Sequence, residues 1–281
     1  MDFIKYNNIQ EFNRDNLNLL LEKEWLNNLI IGNCLEGPAE NEEPWILASI
    51  KENNITQLIM LYRKPWNLLL YSPTNNISDV LYKFAAKEIY KIDDNLNGVN
   101  AEVELADKFA KYYSAIANKE AKLNFPMRIL LLKELDKAEL LDNVLFRKAN
   151  QKDEAILLKY LEEFQQEALG EYIDEKTLKE RLNSYFNKGY FVLEKDEKIV
   201  SQAVISRELT KGKTISEVYT PKEFRGKSYA YNLIYIISKQ ILEEGAEYCV
   251  LYTDDNNPIS NHVYEKIGYK RMVDTKDIKF I

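Results

Sequence analysis

Few groups in this chain could do acid–base work, and those that could lie late in the sequence. Glu217 interrupts the run Thr214-Ile215-Ser216-Glu217-Val218-Tyr219-Thr220, which otherwise reads as a strand. A carboxylate inside an apolar strand needs a reason, because burying a charge is costly. Alternation puts Ile215, Glu217 and Tyr219 on one face and Ser216, Val218 and Thr220 on the other. A perturbed carboxylate in a cleft can serve as a general base; a half-exposed or salt-bridged strand residue is the competing reading. Pro221 then ends the strand, and Arg225-Gly226-Lys227-Ser228 opens a long apolar-periodic segment. A helix start exposes unsatisfied N–H groups and the positive end of the helix dipole, so an anion is held well there. Gly226 permits close approach of a ligand to the backbone. Lys222, Arg225 and Lys227 against Glu223 give a local charge of +2 (three minus one), opposite in sign to the whole chain at -7. The spacing fits neither a Walker A loop nor G-x-G-x-x-G. Taken alone, the stretch says anion at a helix start, with a solvated basic turn as the alternative.

A second stretch, Tyr252-Thr253-Asp254-Asp255-Asn256-Asn257 followed by a helical pattern to Gly268, adds a tyrosine and a cap. Ile259, Val263 and Ile267 recur every four residues and predict a buried stripe, with Tyr264 beside it. Asn257 suits the N-cap of that helix. His262 is the single histidine, so neither a His-dependent triad nor a multi-His metal site can be assembled. Cys34 and Cys249 are far apart, form no CxxC and sit among apolar neighbours, which predicts buried thiols. No metal is expected.

The elements that must position these groups fall into two similar series. The first series reads as a helix over 8–31, strands at 45–50, 55–62 and 67–72, helices at 77–92 and 101–119, and a strand at 127–135. The second reads as a strand at 143–149, helices at 152–168 and 174–186, and three strands in hairpin succession ending at 220. A helix at 226–244, a strand at 248–253, a helix at 257–267, the strand Tyr269–Asp274 and a last strand Ile278–Ile281 complete it. The match is in element order, without a residue-level repeat. The break near 135–142 is poor in Gly and Pro, so domains 1–140 and 141–281 are expected with a short linker.

Together, the segments 218–232 and 252–271 resemble the GNAT superfamily of acyl-CoA-dependent N-acyltransferases. Arg225, Ser228 and Ala230 occupy the three positions of its R/Q-x-x-G-x-G/A motif, with Ser228 where glycine is usual. That departure looks tolerable on the view that a helix turn requires no positive φ. Asn257 and the run Tyr264-Glu265-Lys266-Ile267-Gly268-Tyr269 match its later signature. The resemblance covers about 142–281 and is closest to the FR47-like branch; residues 1–140 resemble a degenerate GNAT-like domain by element order alone. It implies an α/β fold of tandem GNAT-like domains, each a mixed, mostly antiparallel sheet flanked by helices, with the acyl-CoA cleft in the C-terminal domain. It implies acetyl-CoA as co-substrate, Glu217 as base, usually through water, and Tyr264 as general acid. Cofactor contacts are implied at Val218, Tyr219, Thr220, Arg225, Gly226, Lys227, Ser228, Tyr229, Ala230 and Asn257. Val218 and Thr220 are implied through their backbone groups.

Composition sets the outer limits. The chain has 281 residues, 46% of them hydrophobic and 30% charged, enough for one large or two ordinary domains. The acidic balance argues against broad nucleic-acid binding, which needs a basic footprint, and leans towards a small cationic acceptor. No signal peptide or membrane span is legible, so a cytoplasmic protein without membrane or nucleic-acid partners is expected. The implied activity is acetyl transfer to a primary amine of a small molecule or peptide. A non-catalytic acyl-CoA-binding or regulatory module, and a structural domain whose basic turn binds nothing, are the alternatives.

Overall fold

The computed structural model describes residues 1–39, 42–74, 77–170 and 172–281. In chain order its elements are β1 (Asp2–Tyr6), α1 (Ile9–Glu22), α2 (Asn28–Glu36), β2 (Ile46–Glu52), β3 (Ile55–Tyr62), β4 (Leu68–Tyr71), α3 (Asp79–Ile92), β5 (Gly98–Glu102), α4 (Val103–Ala117) and β6 (Ala121–Leu132). These are followed by β7 (Leu145–Lys148), α5 (Glu154–Phe164), α6 (Glu175–Lys188), β8 (Tyr190–Lys195), β9 (Lys198–Glu208), β10 (Gly212–Tyr219), α7 (Tyr229–Glu243), β11 (Tyr248–Asp254), α8 (Pro258–Ile267) and β12 (Lys270–Phe280). The two series repeat one order: strand, two helices, three strands, helix, strand, helix, strand. β1 completes that repeat and was not legible in the sequence. The helix expected over 8–31 is two helices. Asn8 caps the first by accepting from the Glu11 amide, and Asn27 stands at the start of the second.

The fold separates into two compact units. The first comprises Met1–Ile129, Thr253–Asn257 and Met272–Ile281; the second comprises Leu130–Tyr252 and Pro258–Arg271. The boundary expected at 140/141 thus falls inside the second unit, and the last ten residues group with the first. In the first unit β1 to β5 lie in sequence order, and β12 is next to β5. Thr275 to Lys279 of β12 pair antiparallel with Glu102 to Gly98 of β5. The two short carboxy-terminal strands expected from the sequence are therefore one. Gly98 is required in this pairing, since a Cβ would run into the Ile278 carbonyl. Leu58, Met60, Ala85, Ile89, Val99, Ala106 and Phe109 build the core between this sheet and α3 and α4.

In the second unit the strand order is β11-β10-β9-β8-β7, antiparallel from β10 to β7 and parallel between β10 and β11. Helices cover both faces. On one face Leu233, Ile234, Ile237 and Ile241 of α7 and Ile267 of α8 pack with Leu193, Ile215 and Leu251. On the other, Leu157 and Leu161 of α5 and Leu178 and Leu182 of α6 pack with Val192, Val204 and Tyr219. Fully burying one such leucine contributes roughly 1.5–3 kcal/mol, so these helices are fixed by their apolar stripes. Asp174 caps α6 by accepting from the Thr177 amide, as its sequence position predicts. Among the described residues no helix is long and apolar enough to cross a membrane.

Candidate active site

Glu217 does not sit in a regular strand. Ser216 pairs with Val204 and Tyr219 with Gln202, so β10 carries one residue more than β9 across this interval. Glu217 occupies the bulge with φ 52°, a left-handed conformation unusual for a side-chain-bearing residue. The bulge overturns the simple alternation. Ile215 packs in the cluster under α7, whereas Tyr219 packs with α5 and α6 on the opposite face. One extra residue reverses every side chain after it. On its other side β10 pairs with β11 only over Gly212–Thr214, and the two strands part beyond. Gly212 permits that close start, because a Cβ there would enter the Tyr248 ring. Val218 therefore has no ladder partner on either strand and lies half-buried against the α7-side core.

Two donors hold the Glu217 carboxylate. Tyr185 Oη of α6 donates to Oε1 at 2.8 Å, and Gln165 Nε2 donates to Oε2 at 3.4 Å. Burial raises the carboxyl above its ordinary value; Tyr185, Arg181, Gln165 and Arg207 act in the other direction without cancelling it. A carboxylate raised in this way is a stronger base near neutrality than a free one. Burial and the neighbouring Glu217 charge push the Tyr185 hydroxyl well up, so it stays a donor. Tyr185 and Gln165 had no signal in the sequence. They lie 32 and 52 residues from Glu217, and only the packing of α5 and α6 on this face brings them in.

Beyond β10, a 3-10 turn over Lys222–Phe224 leads to Gly226 at φ 76° and Ser228 at φ 59°. Ser228 is the N-cap residue of α7, yet its side chain makes no cap bond and α7 has no acidic residue in its first turn. The left-handed φ explains why glycine is usual at this position and overturns the expectation that positive φ is not needed there. Asn232 N–H is the first to bond back, to the Ser228 carbonyl at 3.0 Å. The amides from Gly226 to Tyr231 donate to no group among the described residues. Such a run of uncommitted amides at a helix start can act as an anion cradle. α3 holds the same place in the first unit and differs. Ser78 caps it by accepting from Leu81 N–H, and Asp79 puts negative charge in its first turn.

The basic side chains of the loop are already engaged. Arg225 Nε donates to the Thr220 carbonyl at 2.9 Å, and its other end reaches Glu167 at 2.7 Å. Lys222 lies 3.4 Å from the same carboxylate. Tyr219 Oη sits between Glu167 and Glu163, at 3.0 and 3.1 Å. Burial alone would raise the Glu167 carboxyl; bonds from Arg225 and Tyr219 reverse this and hold it below its ordinary range. Thr220 Oγ1 shares a 2.9 Å bond with Ser201. Lys227 reaches the Glu223 carbonyl at 3.4 Å, and Tyr229 and Ala230 are half-buried in the first turn of α7.

Tyr264 lies on the buried face of α8 with Asn261 and Ile267, while Ile259 is 79% exposed. The predicted stripe of Ile259, Val263 and Ile267 is thus displaced by part of a turn, and Tyr264 belongs to the buried face itself. Its ring meets Tyr269 edge-on at 6.0 Å. Its hydroxyl has no hydrogen-bond partner among the described residues, and burial raises it above the usual phenol value. A nearly buried tyrosine with an uncommitted hydroxyl can give a proton and is not explained by a structural bond. Asn257 directly precedes α8, and its amide donates to the Asp254 carbonyl at 3.1 Å. His262 is exposed, and Cys249 is buried with its thiol pushed to about 12 by desolvation. Among the described residues no three His, Cys, Asp or Glu side chains are grouped to hold a metal.

A bulged strand thus parts from its parallel neighbour and leads into an uncapped helix start. Residues 154–269 match the model of the Acetyltransferase (GNAT) family. Solved structures agree over nearly the whole chain. A GCN5-related N-acetyltransferase from Sphaerobacter thermophilus is 12% identical at TM-score 0.68, covering 99% of this chain and 95% of its own. A GNAT-family acetyltransferase from Colwellia psychrerythraea is 12% identical at TM-score 0.62, covering 100% and 99%. A tandem GNAT protein from the clavulanic acid biosynthesis pathway is 10% identical at TM-score 0.60, covering 100% and 98%. No curated protein matches the sequence. The fold is that of GNAT acetyltransferases, with acyl-CoA-dependent acetyl transfer as its general chemistry.

Proposed function

We propose that the protein transfers an acetyl group from acetyl-CoA to a primary amine by direct attack in a ternary complex. The observation that carries this reading is the adjacency, along one chain segment, of a raised carboxylate and an anion cradle. Glu217 sits in the bulge, and the free amides begin nine residues later at Gly226. Acetyl-CoA supplies an activated thioester and a pyrophosphate. The amides of Gly226 to Tyr231 receive the pyrophosphate, with Arg225, Lys227 and the half-buried Tyr229 and Ala230 around it. Backbone groups of Val218, Tyr219 and Thr220 face the pantetheine arm, and the Val218 N–H donates to the oxyanion that develops at the thioester carbonyl. Glu217 takes the proton that the attacking amine loses, directly or through water. The Tyr264 hydroxyl gives a proton to the departing thiolate. Asn257 is assigned to the cofactor as a contact ahead of α8. No metal is needed for these steps.

The catalytic centre is assigned to residues 141–281, since the capped, acidic start of α3 makes a second pyrophosphate site in 1–140 unfavourable. The acceptor is assigned to small cationic amines, on the support of the chain's charge of -7. Isothermal titration with acetyl-CoA, CoA and ATP is the test. Binding of acetyl-CoA and CoA with ATP much weaker is expected, and no binding of either thioester or thiol would end the enzyme reading. Thiol release across an amine panel follows; a preference for acidic amines would remove the cationic assignment. Binding with no turnover on any amine would favour a non-catalytic acyl-CoA-binding module.

A further inference from the structure

The reading above leaves one segment without a role. α5 does not simply end: residues Gln165–Leu169 continue it as a π turn, closed by Gly170 in the left-handed region. Single π turns in α-helices are uncommon and concentrate at functional sites. On an ordinary helix, residues two apart point away from each other. Here Gln165 and Glu167 both reach the β10 segment. Gln165 Nε2 bonds the Glu217 carboxylate, while Glu167 takes Arg225, Lys222 and the Tyr219 hydroxyl. Gln165 is 2% exposed, and its Oε1 is buried with no partner. A buried amide that leaves an acceptor unsatisfied is held there by something other than its own bonding.

We propose that this π turn ties the anion cradle to the base: Glu167 anchors the turn to the loop 219–225, and the anchored turn holds Gln165 on Glu217. Glu167 is then a positioning residue that acts through Gln165. The proposal rests on the reading that 217–230 carries the base and the cradle. It makes a prediction opposite in sign to plain electrostatics. Removing the Glu167 charge would, by Coulomb's law, make Glu217 easier to ionise. Loosening the turn would instead cost Glu217 a donor to its charged form and make it harder to ionise. The other groups around Glu217 stay in place in this experiment: Tyr185 and Arg181 of α6, Tyr190 of β8 and Arg207 of β9.

The test is carboxyl 13C NMR titration of the full chain, with the Glu217 resonance identified by its loss in Glu217→Gln. Gln165→Leu is expected to raise the Glu217 titration midpoint by about half a unit or more, the size of losing one weak donor. Glu167→Gln is expected to move it in the same direction, and the double variant no further than Gln165→Leu alone. A midpoint that stays put or falls in Glu167→Gln overturns the proposal. Both substitutions are compared by thermal melting, and Glu167→Gln is conservative at a partly exposed site, so a folded variant is expected. The readout needs no acceptor and no turnover. A failure of the unaltered protein to bind CoA is therefore a separate result, against the functional reading, and is seen in the titration calorimetry.

Discussion

Ser228 provides the sharpest quantitative test of the cradle. Its φ of 59° and ψ of 18° place an L-residue in the left-handed region, where the Cβ crowds the following carbonyl by roughly 1–2 kcal/mol. The side chain returns nothing as a cap, since it makes no hydrogen bond to the first turn. Ser228→Gly removes the strain but adds freedom to the unfolded chain, at about 0.4–1 kcal/mol. The net expectation is stabilisation of about 0.5–1 kcal/mol. For a chain of this size that is a rise of about 1–4 °C in melting temperature. Removing a Cβ from the amide cradle should also leave CoA binding equal or tighter. Urea unfolding and calorimetry with CoA read both quantities on one preparation. Ser228→Glu should keep the fold and weaken CoA binding by like charge at the pyrophosphate. A loss of stability in Ser228→Gly would show that the serine makes a compensating interaction. Unchanged affinity in Ser228→Glu would remove the pyrophosphate from this helix start.

Tyr264→Phe should lower turnover at least tenfold with little change in acetyl-CoA affinity, because the hydroxyl has no structural bond to lose; full activity would make Tyr264 a packing residue. Glu217→Gln should lower kcat/KM and also stabilise the fold above neutral pH. The sign follows from the raised carboxyl. The protonated form is favoured in the folded state, so its contribution is complete below the unfolded carboxylate value and is lost as pH rises through the folded value. In the unaltered protein, the proposed acetyl transfer should accordingly fall on the acid side at a pH above that of an ordinary glutamate, and a limb at the ordinary value would refute the assignment. Arg147 grips Asp153 in two bonds of 2.7 and 2.9 Å and bonds Glu194 at 2.9 Å. The Arg147 bond leads in depressing the Asp153 carboxyl, so this contribution is present above the unfolded value and lost as pH falls through the folded one. Arg147→Met should cost about 1–3 kcal/mol at pH 7, with a smaller difference from wild type in acid; equal costs at both pH values would count against the pair.

The sequence by itself determined most of the element order of both halves, because apolar periodicity and caps such as Asp174 are local. The motif spacings of Arg225, Ser228 and Ala230 and of Tyr264 to Tyr269 are likewise local, each within one chain segment. The sequence missed β1 and split β12, whose strand character comes from pairing with distant partners at Leu47–Lys51 and Gly98–Glu102. It misjudged the faces of β10, since period-two alternation presumes no bulge, and one extra residue sends Tyr219 to the side of α5 and α6. The strain at Ser228 likewise depends on how the loop turns into α7. Only the tertiary structure supplied the surroundings of Glu217. Tyr185 and Gln165 arrive from helices that are remote in sequence, and the π turn that carries Gln165 has no sequence signature. A side chain's type is written in the chain, but whether it is a base depends on desolvation and on the donors around it, and those exist only after packing.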